Sequence, residues 1–416
     1  VSGPDRARLG AAALLERITQ ERVMLTEATD ILESLAPQDR ARAQRLALTA
    51  LRQLPRIDAV LARFLKKPPP PQVRAVIQIA TAEMLVLDTP AHGAVDAAVS
   101  GLKADKRMMK FAGLTNAVLR KVDGPGREVW AGLKPPRLPK WLRGRLMSAY
   151  GSDAVAAMEA VFASEPPLDL TPKGPMPDMD GAIPLPTGTI RLPRAGQVTA
   201  LPGFEEGAWW VQDAAAALPV RVLGDVAGKH VLDLCAAPGG KTMQLAAAGA
   251  RVTALDISNA RLKRLRANLE RTGLGAGIIA ADAFEWTPDA PFDAIMLDAP
   301  CSATGTIRRH PELPLVRDSK AVAQLAKLQA ALLDRALAWL KPGGDLIYCT
   351  CSLLPEEGEA QITPRSGITS LAIDPIALGG EPHWTTKDGH LRLRPDFWAD
   401  RGGMDGFFIA HLRKDA

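Results

Sequence analysis

The sequence predicts an all-helical front, a small linker subdomain and a doubly wound, Rossmann-like α/β domain. Three observations carry this reading. Over residues 6–122 the apolar residues recur three and four apart, with no strand signal between them. From about Trp209 short apolar runs alternate with amphipathic stretches in βαβα order, which implies a mostly parallel sheet with helices on both faces. Between them, residues 124–208 turn rich in Pro and Gly. A chain of 416 residues is too long for one ordinary core. The expected division is 1–123, 124–208 and 209–416.

In the front, "RLGAAALLERI", "RARAQRLALTALRQL", "QVRAVIQIATAEMLVL" and "AAVSGLK" read as helices, and Pro68 to Pro71 in "KKPPPPQ" mark a turn between two of them. The linker predicts one short helix ("WLRGRLMSAYG", "AVAAMEAVFA") and strand-like pieces such as "GTIRL". Behind it, "KHVLDLCA" is a strand, "PGGKTMQLAAAG" a turn and helix, "ARVTALDIS" a strand and "NARLKRLRANLERTG" a basic amphipathic helix. Strands "GIIAADAF" and "FDAIMLDAP" follow, then the long helix "SKAVAQLAKLQAALLDRALAWL" and strand "GDLIYCT". Ligands of such sheets bind outside the carboxyl ends of the strands.

The 47% hydrophobic and 23% charged residues are those of a soluble globular protein, and no apolar run approaches the roughly 20 residues that span a bilayer. The opening "VSGPDRARLG" lacks a signal peptide's apolar core and does not begin with Met, so a trimmed start is expected. Four cysteines without disulfide-framework spacing fit a reducing cytoplasm. Net charge is +5, but through Lys140 there are 23 Lys and Arg against 14 Asp and Glu. A basic front on a mildly acidic back points to a polyanion-binding module, and a merely solvated basic face is the plainer alternative.

All four cysteines, Cys235, Cys301, Cys349 and Cys351, fall near the ends of predicted strands, where they can converge on one crevice. In "DLCAAPGGK" a strand ending in Asp233 meets Gly239 and Gly240, which let backbone approach a ligand before a helix starts. It is not the dinucleotide G-x-G-x-x-G, so a pyrophosphate is not indicated. Asp256, Asp282 and Asp298 end the next three strands. Carboxylates at successive strand ends suit a nucleoside-like ligand without phosphate, although any one of them can equally cap a helix. Cys235 and Cys349 read as small apolar residues at strand ends. Four-cysteine zinc binding is disfavoured, because C-x-C with two distant singles lacks the usual C-x₂₋₄-C pairs, and no metal is expected.

"DLCAAPGGKT", "LDIS…RL", "LDAPCSATGTIRRHPE", "YCTCSLLPEE" and "DGFF" together resemble the family of S-adenosylmethionine-dependent RNA 5-methylcytosine methyltransferases. "LPGFEEGAWWVQDAAA" resembles the lead-in to their catalytic domain. The front, with "HGAVDAAVSGLK" and "NAVLRKV", resembles the NusB-like RNA-binding domain fused to it in bacterial members that act on 16S ribosomal RNA. The resemblance implies an S-adenosylmethionine site lined by Cys235, Ala236, Ala237, Pro238, Gly239, Gly240 and Lys241. It implies that Asp256 holds the ribose, with Arg261 nearby, that Asp282 lies at the adenine region, and that Asp298 sits between cofactor and base. It further implies that Cys351, in Thr-Cys-Ser, is the nucleophile, that Cys301 assists product release, and that Asp298 and Lys241 stabilise the adduct. Lys241, at a helix start, is expected to lower the pKa of a nearby cysteine.

The implied partner is RNA, 16S ribosomal RNA first and transfer RNA second, with a monomer in the cytoplasm. Amino-group methyltransferases end strand four in Asn/Asp-Pro-Pro-aromatic, whereas here it ends "DAPC". DNA cytosine methyltransferases use the cysteine after the strand-four proline, so "DAPC" alone points to Cys301; Thr-Cys-Ser and the front favour Cys351. A non-catalytic RNA-binding factor is the rival of another class. The sequence departs from the family in two places: Gly358 stands where Asn is usual in "EEGE", and "TPKGP" lacks the customary Arg after "PPLDL".

Overall fold

Helices form where the front's periodicity places them. α1 (Arg6–Glu21) starts at Asp5, whose side chain accepts from Arg8 N at 3.0 Å. After the single turn α2 (Leu25–Ala28) come α3 (Pro37–Leu61) and α4 (Pro71–Leu85), each beginning with proline where its missing N–H costs nothing. Pro68 to Pro70 lie in the connection before α4, and Pro71 opens the helix. α5 (Ala91–Ala104), α6 (Ala112–Asp123) and α7 (Pro125–Ala131) complete the bundle. Leu14, Leu15 and Ile18 of α1 meet Ile57, Ile77 and Leu119 in one fully buried core, each such side chain contributing about 1.5–3 kcal/mol.

The computed structural model describes residues 5–194 and 196–416. The expected trimmed start at Val1 to Pro4 lies outside them. The chain divides into two units: one runs to Glu165 and takes in Ile307–Asp318, and the other comprises Pro166–Thr306 and Ser319–Ala416. The stretch 124–208, expected as one subdomain, therefore divides at residues 165 and 166. Its first part holds three helices: α7, and in place of the one short helix expected, α8 (Lys140–Tyr150) and α9 (Ser152–Phe162). The break is Gly151, at φ +81°, which a residue with a β-carbon rarely adopts.

Ile307–Asp318 belongs to the helical unit although sheet segments flank it in sequence. Arg52 Nη2 donates to Arg308 O at 2.9 Å, Arg22 Nε to Leu315 O at 3.0 Å, and Leu25 N to the buried Glu312 at 3.3 Å. The motif "LDAPCSATGTIRRHPE" is thus divided, with its second half packed among helices.

The second unit opens with a small antiparallel sheet of order β2-β3-β1-β4: β1 (Leu168–Pro172), β2 (Ile183–Pro184), β3 (Ile190–Leu192) and β4 (Trp209–Val211). Asp169 and Arg191 form a buried two-point ion pair across β1 and β3, both contacts 2.7 Å. Then come α10 (Ala214–Leu223), β5 (His230–Leu234), α11 (Gly240–Ala247), β6 (Arg251–Asp256), α12 (Asn259–Thr272), β7 (Gly277–Ala280), β8 (Phe292–Asp298), α13 (Ser319–Ala338) and β9 (Leu340–Thr350). β10 (Ile368–Leu371), β11 (Leu391–Leu393) and β12 (Phe407–Lys414) close the chain. The large sheet runs β10-β12-β9-β8-β5-β6-β7, with β11 also paired to β12. Strands β5 to β9 pair in parallel, and β12 is antiparallel to β9.

Burial on both faces explains the nearly continuous apolar runs in these strands. Val231, Ala294, Met296 and Ile347 pack toward α10 and α11, while Leu232, Ile295, Leu297 and Leu346 pack toward α13. Leu262, Leu265 and Leu269 of α12 pack on Ala254 beside Met243 of α11. Asp256 and Asp298 end their strands as expected, but β5 runs one residue past Asp233, to Leu234, and Asp282 lies two residues beyond β7. No helix among the described residues is long and apolar enough to cross a membrane.

Candidate active site

Strands β5 and β8 are neighbours, and the chain leaves them toward opposite faces: α11 covers one and α13 the other. That divergence opens a crevice at their carboxyl ends, and the candidate residues border it.

The loop after β5 and the loop after β6 are stapled together. Asp256, 1% exposed, accepts from Ala237 N at 3.1 Å and Ser258 N at 2.9 Å. Arg261 Nη2 donates to Ala237 O, and its Nη1 lies 3.6 Å from Asp256. Ser258 caps α12, its side chain accepting from Arg261 N. Cys235, Ala236 and Pro238 to Gly240 complete the turn into α11, whose first backbone N–H groups have no intrahelical acceptors. Asp282 accepts from Phe284 N at 2.9 Å, so in this structure its carboxylate braces a turn. Two residues escaped the sequence reading. Ile257 and Phe284 are large apolar side chains left 68% and 43% exposed, directly after Asp256 and close after Asp282. Their only signal is position beside the strand-end acids.

On the α11 side the charges are buried. Asp233 is fully buried; Thr242 Oγ1 donates to its Oδ2 at 2.5 Å, and its Oδ1 has no partner. Burial pushes this carboxyl up to about 7, against the pull of the Thr242 hydrogen bond. Lys241 Nζ donates to Asp298 Oδ2 at 2.8 Å and lies 5.1 Å from the Phe407 ring centroid. Burial works against this ammonium, but Asp298 outweighs it and holds the pKa above the ordinary lysine value. Cys349 Sγ lies 3.7 Å from Asp298 Oδ1, and burial, joined by Asp298, holds its thiol protonated despite the opposing pull of Lys241. Lys241 thus does pull a neighbouring thiol down as expected, but burial and Asp298 outweigh it and the net shift is upward. Cys235 is likewise raised, by burial and then by Asp256 and Asp298.

Of the four cysteines, two meet. Cys301 and Cys351 place their sulfurs 3.5 Å apart. The contact with Cys351, then burial, then the charge of Glu357 hold the Cys301 thiol well above its usual range. Gly305 N donates to Cys351 O at 2.9 Å, and Gly406 N, in "DGFF", donates to Gly305 O at 2.8 Å. No group of three or more His, Cys, Asp or Glu side chains with metal-holding geometry occurs among the described residues.

Both departures in the sequence have local accounts. A β-carbon at position 358 would fall on Arg392 Nη2 and within 2.9 Å of Phe408 Cγ. Arg392 fills that space, donating to Ser352 O and to Glu359. Lys173, in "TPKGP", donates through Nζ to Thr272 O at 2.7 Å, at the end of α12.

Comparison with known proteins places this geometry. Residues 220–413 match the family described as 16S rRNA methyltransferase RsmB/F, and residues 5–123 match the NusB family. The chain is 35% identical to "Ribosomal RNA small subunit methyltransferase B" of Salmonella arizonae, over 97% of each chain. It is 36% identical to the protein of the same name from Pseudomonas syringae pv. tomato, over 98% of this chain and 97% of that one. The chain belongs to the RsmB/F methyltransferase family. The crystal structure titled PH0851 shares the fold over the full length of both chains, with a TM-score of 0.73 at 23% identity. A methyltransferase homolog from Pyrococcus horikoshii covers 65% of this chain and 93% of its own, with a TM-score of 0.54 at 26% identity.

The cofactor of this RsmB/F member is S-adenosylmethionine. The residues present fit it: a buried acid at the second strand's end, exposed apolar side chains at the ends of β6 and β7, and aspartates that favour a sulfonium cation.

The raised carboxyl of Asp233 gives a pH test. Its folded pKa of about 7 exceeds the ordinary 3.8, so its contribution to stability is fully present below about pH 3.8 and is lost as pH rises through 7. Asp233→Asn removes that slope. Relative to wild type, the variant is expected to gain about 3 kcal/mol between pH 5 and pH 8 in denaturant melts. Parallel pH dependences in the two proteins would show that Asp233 is not held protonated.

Proposed function

We propose that this chain transfers a methyl group to carbon 5 of a cytosine in 16S ribosomal RNA, in the cytoplasm, through a covalent adduct with Cys351. The observation that carries the reading is the thiol pair, Cys301 and Cys351, just past the ends of β8 and β9, where β8 also ends in the Asp298 that pairs with Lys241. The relatives' name, ribosomal RNA small subunit methyltransferase B, supports the substrate.

Carbon 5 of cytosine is a poor nucleophile. Addition of the Cys351 sulfur to carbon 6 makes the ring an enamine, whose carbon 5 attacks a methyl group. S-adenosylmethionine, when bound, supplies that methyl on a sulfonium. The proton that leaves the Cys351 thiol is taken up at ring N3, whose new N–H donates to Asp298, and Lys241 keeps Asp298 oriented. The carbon 5 proton then leaves to a base, and the carbon 6–sulfur bond breaks to restore the aromatic ring. Cys301, held as a thiol at neutral pH, is placed to move a proton in this second half. Asp256 accepts from the ribose hydroxyls, Ile257 and Phe284 flank the adenine near Asp282, and residues 235–241 face the methionine end.

The helical front supplies RNA contacts on this reading. Lys103, Lys106, Arg107 and Lys110 are exposed and make no ion pair among the described residues.

Three outcomes follow. Asp256→Ala is expected to weaken S-adenosylmethionine binding by about 1.5–3 kcal/mol, measured by calorimetry, since a charged acceptor is removed; unchanged affinity would refute the ribose role. Charge reversal of Lys103, Lys106, Arg107 and Lys110 is expected to weaken RNA binding with cofactor affinity intact. Its salt slope should fall by about one for every phosphate that is no longer neutralised. An unaltered salt slope would move the RNA surface elsewhere. On a denaturing gel with labelled RNA, Cys351→Ala is expected to give neither adduct nor product, while Cys301→Ala accumulates a protein–RNA species. Adduct trapped by Cys351→Ala alone would reverse the two roles.

A further inference from the structure

Glu357 is fully buried on the short turn Pro355–Glu357, and the four donors to its carboxylate are all neutral. Oε1 accepts from Ser302 N at 2.9 Å and from Gln329 Nε2 at 3.1 Å. Oε2 accepts from Ser302 Oγ at 2.5 Å and from Ser352 Oγ at 2.6 Å. Its carbonyl accepts from Tyr348 OH at 2.9 Å and Thr350 Oγ1 at 3.1 Å, both on β9.

Burying a carboxylate among neutral donors is costly, and a core position this enclosed would be served at lower cost by an apolar residue. What a carboxylate alone provides is about four acceptor sites and no donor. Here those sites collect the residues that directly follow the two thiols, Ser302 after Cys301 and Ser352 after Cys351. The two loops leave adjacent strands, β8 and β9, and meet at one group. Further contacts close the same knot: Ser302 Oγ and Ser352 Oγ lie 3.3 Å apart, and Thr304 Oγ1 accepts from Leu353 N at 3.0 Å.

We propose that Glu357 is a positioning residue that fixes the separation of the Cys301 and Cys351 thiols by tying Ser302 and Ser352 to one carboxylate. The catalytic consequence rests on the two-thiol reading above; the geometric claim does not. Displacing a reacting group by about 1 Å costs on the order of 100-fold in rate, so loosening this tie is expected to act on turnover rather than on RNA affinity.

The test uses the full-length protein as wild type, Glu357→Gln and Glu357→Ala. Diamide takes one hydrogen from each of two thiols, is itself reduced to the hydrazine, and leaves a Cys301–Cys351 disulfide; its rate reports how close the sulfurs stay without any RNA chemistry. Free thiols are counted by alkylation and mass, with Cys235 and Cys349 as internal references. In Glu357→Ala that retains cofactor affinity, closure is expected to slow on the order of tenfold or more, and kcat to fall with KM for RNA unchanged. Glu357→Gln is expected to stay within about threefold of wild type, because its amide keeps the length and the serine hydroxyls can reverse their roles. If Glu357→Ala fails to fold, Ser352→Ala, which removes one tie, is expected to show the same slowing in smaller measure. Wild-type closure rates in a folded Glu357→Ala, or in Ser352→Ala in its place, would overturn the proposal. Slowed closure with undiminished methyl transfer would leave the positioning role standing and defeat the two-thiol reading instead.

Discussion

A lysine ammonium with only 8% of its side chain exposed must keep a counter-charge within hydrogen-bond reach, and Lys241 has Asp298 at 2.8 Å. The pairing of β5 with β8, Leu234 opposite Leu297, brings the two together from sequence positions far apart. Removing one partner of such a pair leaves the other charge buried, at a cost of about 3–5 kcal/mol; the one-third exposure of Asp298 places a lysine deletion at the low end. Phe407 covers the ammonium from β12, so "PGGK", "LDAP" and "DGFF" meet at one point. The rest of the crevice is arranged around it: the cofactor loop on the α11 side, the thiol loops beyond the ends of β8 and β9.

The same charges sort the four cysteines. Asp233, Asp256 and Asp298 raise Cys235, after burial, and Asp298 and Asp233 raise Cys349. A field that favours a sulfonium cation disfavours a thiolate, so the thiols nearest these acids stay protonated. The influences on Cys301 differ: Cys351, burial and Glu357. Cys301 and Cys351 thus stand only two or three residues along each loop from the acid-lined part of the crevice. On the proposed reading, that short offset lets one site hold a cation and still work with sulfur.

Much of this was legible in the chain itself. The apolar runs of β5, β6, β8 and β9 are nearly unbroken because both faces are buried, and their ends name Asp256, Asp298, Cys301 and Cys351. What escaped is non-local. Asp282 lies past its strand because β7 pairs only as far as Ala280, and nothing local separates a strand-end acid from one that braces a turn. Ile307–Glu312 reads as part of a catalytic motif, but Glu312 accepts from Leu25 N and the nearby Leu315 packs on the front's core, against residues hundreds of positions away in sequence. Gly358 looks like a loss until Arg392 is seen in the space a side chain would need. No periodicity links positions 358 and 392.

Those non-local ties bear on how the site works. The Cys351 loop is held through its own carbonyl by Gly305, through Ser352 O by Arg392 of β11, and through Ser352 Oγ by Glu357. A loop fixed from three directions can hold a thiol to within about 0.5 Å of a required position. It can move little to meet a base. On the proposed reading the motion therefore falls to the RNA: a cytosine must leave its stack, at a cost of a few kcal/mol, to reach sulfurs that wait 3.5 Å apart. Contacts made away from the reacting atoms must offset that cost, and on this reading a basic helical front and a tightly held thiol pocket divide the labour in that way.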